Sequence, residues 1–202
     1  NLDIWPGRFL LCIGHDGKLR WRFPLPRGYS FGFRAMPAAG PGKKGIVAAA
    51  SHPLMILSAD GEVLSITPMT FYPGAIAADL DGNGAKEALS GVPLLRAYDL
   101  AENRALWGGM ATQNSITDSG AVAIDVKGDG ADELVFPCRG HVCIVNGKGE
   151  LVRAKYVGEF GRPVFGRIDV EGDGKDEILL CGNRRFLVLN GEGVFVVAAT
   201  LR

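Results

Sequence analysis

The chain has no excess of either charge: 22 Lys and Arg residues balance 22 Asp and Glu. Nucleic acid and anionic membrane surfaces select a strong basic excess, so no nucleic-acid partner is implied. No apolar stretch approaches the ~20 residues of a membrane helix, so no transmembrane segment is expected. No charged-then-apolar leader opens the chain, and export would rest on a signal outside these residues. The four cysteines, Cys12, Cys138, Cys143 and Cys181, lack the short paired spacing of a zinc site. Cys138 and Cys143 flank a short turn, which leaves open a cross-strand disulfide or buried free thiols. A G-x-S-x-G elbow, an H-E-x-x-H pair and a phosphate loop are also absent, so no motif argues for an enzyme.

Glycine is abundant instead, with 29 of 202 residues, roughly twice its usual share. It is spread through apolar runs, as expected of many tight turns between short strands. Hydrophobic residues make up 47%, enough to bury a sizeable core.

Three segments align with one another: AIAADLDGNGAKEALSG, AVAIDVKGDGADELVFP and FGRIDVEGDGKDEILLC. Their first aspartates, Asp79, Asp125 and Asp169, lie 46 and then 44 residues apart. A period of about 40–50 residues suits one four-stranded blade of a β-propeller. In the unit around Asp125, strands a to d are expected at 121–125, 133–137, 141–145 and 151–156. The c–d connection there is Asn146-Gly147-Lys148-Gly149, residues that accept positive φ in a hairpin. Similar turns recur at His15-Asp16-Gly17, Ala59-Asp60-Gly61 and Asn190-Gly191-Glu192-Gly193, with a degenerate copy at Leu100-Ala101-Glu102-Asn103.

The fold class expected is therefore all-β: a propeller of four-stranded antiparallel blades. The repeats run approximately 1–26, 31–69, 74–110, 119–158 and 163–202, within a single domain of 1–202. Four are full blades, and the first supplies strands b, c and d of a fifth. Propellers close by sharing strands of one blade between the termini, but the last unit here supplies all four of its own strands. A segment of a larger ring is the favoured expectation, with a five-bladed ring lacking one inner strand as the alternative. Other blades or another chain would complete the ring.

The three acidic loops carry the chemistry. In the first, Asp79, Asp81, Asn83 and Glu87 stand at positions 1, 3, 5 and 9, with a backbone carbonyl available at Ala85. Calcium takes six to eight oxygen ligands, and alternate positions of a glycine-rich turn direct several at one centre. The second copy has Asp125, Asp129 and Glu133, but Lys127 at position 3, whose ammonium would repel a cation or replace it. The third, with Asp169, Glu171, Asp173 and Glu177, is acidic throughout. The competing expectation is an Asx-type turn whose aspartates bond loop amides and need no metal.

These loops, each following an apolar strand, resemble the FG-GAP/VCBS repeats of integrin-α-like propellers. The resemblance implies an exported protein, extracellular, cell-surface or periplasmic, with structural calcium in the a–b loops and a ligand on the opposite face. LLRAYDL and DGKLRW look similar to the propellers of rhamnogalacturonan lyases, a weaker likeness. On the opposite face the d–a and b–c loops hold Arg27, Tyr29, Tyr72, Asn114, Arg139, His141, Arg162 and Arg185. Stacking plates and bidentate donors of this kind suit a carbohydrate or protein ligand, while the alternative is polar turns facing water. His141 reads as a turn residue and no catalytic residue is assigned. The expected function is a calcium-stabilised binding or scaffold module. Its alternatives are the propeller portion of a polysaccharide lyase and an architectural subunit of a surface assembly.

Overall fold

The computed structural model describes residues 4–26, 33–36, 45–48, 53–70, 76–91, 94–111, 121–160 and 164–200. Described residues form five antiparallel sheets and no helix, hence no helix long and apolar enough to cross a membrane. The first sheet pairs β1 (Ile4–Ile13) with β2 (Leu19–Pro26). The second contains β3 (Phe33–Met36), β4 (Gly45–Ala48), β5 (Pro53–Ser58) and β6 (Val63–Thr70). The third contains β7 (Ile76–Ala78), β8 (Glu87–Gly91), β9 (Leu94–Asp99) and β10 (Arg104–Ala111). The fourth contains β11 (Val122–Ile124), β12 (Glu133–Cys138), β13 (His141–Val145) and β14 (Leu151–Tyr156). The fifth contains β15 (Val164–Ile168), β16 (Glu177–Gly182), β17 (Arg185–Leu189) and β18 (Phe195–Thr200).

Each four-stranded sheet is a meander in which every strand pairs with its sequence neighbour. The strands expected at 141–145 and 151–156 fall on β13 and β14, while β11 is shorter than expected. In the first repeat β1 runs unbroken from Ile4 to Ile13 and pairs with β2. The first strands of successive sheets meet in the order β3, β7, β11, β15. Among the described residues no comparable contact returns from β15 to β3. This is an open succession of propeller blades, as in a portion of a larger ring.

Strand alternation sorts side chains between the two neighbours of each blade. In the fourth sheet Leu134, Phe136, Cys143 and Val145 pack against the third, with Leu89, Leu95 and Ala97. Val135, Val142 and Ile144 point the other way and pack on Ile178, Leu180 and Leu187 of the fifth. Full burial of each such aliphatic chain contributes about 1.5–3 kcal/mol, so the interfaces between blades constitute the core.

One register position bonds each blade to the next. The strand-d residues opposite Cys12, Ile56, Ala97, Ile144 and Val188 are Trp21, Ser65, Trp107, Arg153 and Val197. Trp21 donates its indole N–H to the Ala59 carbonyl at 2.6 Å, and Trp107 donates to the Gly147 carbonyl at 2.8 Å. Ser65 Oγ bonds Asn103 Oδ1 at 3.3 Å, and Arg153 bonds Glu192 Oε2 at 2.8 Å. In every case the acceptor lies in the c–d turn of the following sheet, so one geometry is served by three chemistries. Trp21 and Trp107 thus sit at the boundaries between neighbouring blades.

Candidate metal centre

The three acidic loops share a scaffold. The position-9 glutamates, Glu87, Glu133 and Glu177, are all buried and accept the N–H of the residue after the first aspartate: Leu80, Val126 and Val170. That bond ties the start of each loop to the start of strand b. The glycines at positions 4 and 6, such as Gly82 (φ 73°) and Gly84 (φ 84°), supply the left-handed backbone the turn needs.

The first aspartates then diverge. Asp125 accepts N–H bonds from Gly128, Asp129 and Gly130 at 2.8, 3.1 and 2.8 Å, which occupies both its oxygens. Asp169 does the same with Gly172, Asp173 and Gly174. Among the described residues the Asp79 carboxylate accepts only from the Gly84 N–H, through Oδ2 at 2.8 Å. Its Oδ1 is buried without a hydrogen-bond partner, and the residue is only 7% exposed. A buried carboxylate oxygen left unpaired carries a desolvation cost on the order of 1–3 kcal/mol or more, which a cation would offset.

The first loop also gathers Asp81 and Glu87, and one carboxylate oxygen from each of Asp79, Asp81 and Glu87 lies within 4.8 Å of the others. Among the described residues no other His, Cys, Asp and Glu set converges so closely. Burial pushes the Glu87 carboxyl up to about 7; the Leu80 N–H opposes this, while Asp81 and Asp79 push it further up. Three carboxylates with hard oxygen donors, one carrying an unpaired buried oxygen, fit a hard metal cation. Asn83 is turned to local work: its side chain donates to Asp81 and accepts from the Ala85 N–H. The loop therefore joins an Asx turn to a convergent acidic set.

In the second loop Lys127 folds inward, its Nζ 2.5 Å from Glu133 Oε1. Burial holds the Glu133 carboxyl above its ordinary range even so, and the hydrogen bond to Glu133 holds the Lys127 ammonium up. An internal cation thus sits where the first loop has Asp81, and Asp125, Asp129 and Glu133 are not brought together as three carboxylates. In the third loop Asp173 turns to the Lys175 N–H and Glu171 is exposed, so Asp169, Glu171, Asp173 and Glu177 do not converge either.

Sequence reasoning missed Asp132. Its Oδ2 accepts the Asp79 N–H at 2.7 Å and the Lys86 ammonium at 2.9 Å, and its own N–H donates to the Asp79 carbonyl. The fourth blade thereby braces the first acidic loop. The available signal was position 8, where Lys86 in one repeat faces an aspartate, Asp132, in the next.

Of the residues assigned to the opposite face, Arg27, Tyr29, Tyr72, Asn114 and Arg162 lie outside the described residues. Arg139, at φ 47°, lies in the β12–β13 turn, where its carbonyl oxygen is 3.0 Å from His141 Nδ1. His141 meets Tyr156 edge-on at 5.2 Å between ring centroids, and Arg185 lies over the Phe160 ring at 4.5 Å. These contacts order the turns. A cleft of about 340 Å³ opens between the fourth and fifth sheets, and its charges include the pairs Lys127–Glu133 and Arg153–Glu192. Cys138 and Cys143 are free thiols; burial and the neighbouring Cys138 push the Cys143 thiol up to about 11.

No protein-family model matches the chain, and no curated protein matches it. Solved structures do. A protein of unknown function from Bacteroides caccae is similar at 16% identity and a TM-score of 0.55, over 98% of this chain and 71% of that one. The V. cholerae biofilm matrix protein Bap1 is similar at 17% identity and a TM-score of 0.60, over 91% of this chain. BBS1N, solved in complex with ARL6DN, is similar at 15% identity and a TM-score of 0.64, over 91% of this chain. The chain spans 31% of the Bap1 chain and 59% of the BBS1N chain. The shared property is the fold.

Proposed function

We propose that the chain is a calcium-stiffened stretch of propeller serving as a binding or scaffold module, exported to the cell surface or periplasm. The observation that carries this reading is the convergent Asp79, Asp81 and Glu87 set, within which Asp79 Oδ1 is buried without a hydrogen-bond partner. A cation there would hold the loop between β7 and β8 against the fourth blade through Asp132. That role is structural: the ion would fix blade geometry and leave the loops of the other face to recognise a ligand. Between a carbohydrate and a protein ligand, the likeness to BBS1N, solved in complex with a protein, favours a protein. The FG-GAP/VCBS resemblance of the three loops supports the same reading.

The test is thermal unfolding with calcium and with excess chelator, for wild type and Asp79→Ala. A calcium-dependent rise of about 4 °C or more in wild type, lost in the variant, is expected. Equal midpoints in calcium and chelator for wild type would overturn the metal assignment.

A further inference from the structure

The fifth sheet presents an apolar face built to the pattern of a blade interface. Ile124, Val135, Val142 and Ile144 of the fourth sheet are at most 3% exposed because the fifth covers them. The corresponding residues of the fifth sheet are Ile168, Leu179, Phe186 and Val188, placed by the same strand pairings. Of these Val188 is buried, Leu179 and Phe186 are half-buried and Ile168 is 41% exposed, while Val164 and Val197 on the same face are 67% and 38% exposed.

The first repeat offers the reverse face. Leu11 and Ile13 are 52% and 62% exposed, where Leu187 and Leu189 at the same positions of the fifth sheet are buried. Fifth sheet against first repeat, within one chain or between copies, is thus the obvious pairing. The turns argue against it. Hydrogen bonding within the c–d turns aligns Gly14-His15-Asp16-Gly17 with Asn146-Gly147-Lys148-Gly149 and Asn190-Gly191-Glu192-Gly193. At the second position the preceding acidic loop presses a carbonyl onto the turn. A Cβ on Gly191 would lie 2.5 Å from the Val126 oxygen, and one on Gly147 would clash with the Leu80 oxygen. His15 stands at that position in the first repeat, so it cannot be seated beneath the Val170 carbonyl in the same way.

We infer that the open face of the fifth sheet receives a further four-stranded blade whose c–d turn has glycine at the position of Gly191, and not the first repeat of this or another copy. This goes beyond the calcium reading and is independent of it. Continuity with the interface between the fourth and fifth sheets supports it. Val197 stands where Trp107 and Arg153 supply donors, so this junction lacks a side-chain hydrogen bond from its side and rests on apolar packing.

The experiment appends a second copy of residues 162–202 to the full chain, once unchanged and once with Gly191→His in the added copy. The unchanged copy is expected to raise Tm by about 4 °C or more and to slow hydrogen exchange of the Ile168 and Val170 amides at least about tenfold. The histidine version is expected to lose that protection. Exchange of Leu187 and Leu189 within the added copy shows separately whether it folds; if the histidine copy does not fold, Gly191→Ala replaces it. Light scattering of the unmodified chain is expected to give a monomer. The inference is overturned if the unchanged copy folds without protecting Ile168, or if a folded histidine copy protects it equally. A dimer of the unmodified chain that Ile168→Lys dissolves would assign the face to a second copy and overturn it as well.

Discussion

The indole N–H of Trp107 donates across the blade boundary to the carbonyl oxygen of Gly147 at 2.8 Å, and the ring lies against Gly149. The bond and the packing are separable. Trp107→Phe keeps most of the ring and loses the donor, leaving the half-buried turn carbonyl without it. Unfolding in urea is expected to show a loss of about 1 kcal/mol, with a larger loss in Trp107→Ala. Equal stability of wild type and Trp107→Phe would mean that the hydrogen bond contributes nothing at this boundary.

Lys127 holds the place of a cation in the second acidic loop. Lys127→Asn restores an oxygen ligand and removes the ammonium from buried Glu133. In chelator the variant is expected to lose about 1–2 kcal/mol, less than a fully buried pair would, because the lysine is half exposed. In calcium it is expected to regain that loss and to bind one more terbium ion than wild type by luminescence titration. An unchanged ion count would show that the loop holds no latent cation site.

Glu87 links the first loop to pH. Its carboxyl ordinarily titrates near 4.5 and in the metal-free fold is pushed up to about 7 by burial. Between those values the folded protein holds a proton that the unfolded chain has released, so stability falls as pH rises through the window. In chelator, Tm of wild type is expected to drop more steeply between about pH 5 and 7.5 than that of Glu87→Gln. With saturating calcium, Glu87 must be deprotonated to coordinate, and its contribution is expected to reverse sign. Parallel profiles of the two proteins in chelator would refute the assignment of this proton to Glu87.

Much of this was legible in the residues. The spacing of Asp79, Asp125 and Asp169 determined the repeat, and the apolar strands and turn glycines between them determined four-stranded antiparallel blades. Such features are local: strand alternation and positive-φ turns act within a few residues of one another, and a sequence displays them directly. The similarity of the three acidic loops was equally plain. Their inequality was not, apart from Lys127, whose charge marked the second loop as different before its inward fold was seen.

Tertiary packing alone decided the rest. Asp79 and Asp125 occupy the same position in the same motif, yet one keeps a buried oxygen unbonded and the other bonds both. That difference accompanies a contact from 53 residues away, where Asp132 holds the backbone of Asp79. The requirement for glycine at position 147 likewise comes from Leu80, in a different blade. Residues distant in the chain become neighbours only when blades stack, so repeat periodicity set what each blade is, and the stacking set which of its loops gathers charge and which of its faces is left open.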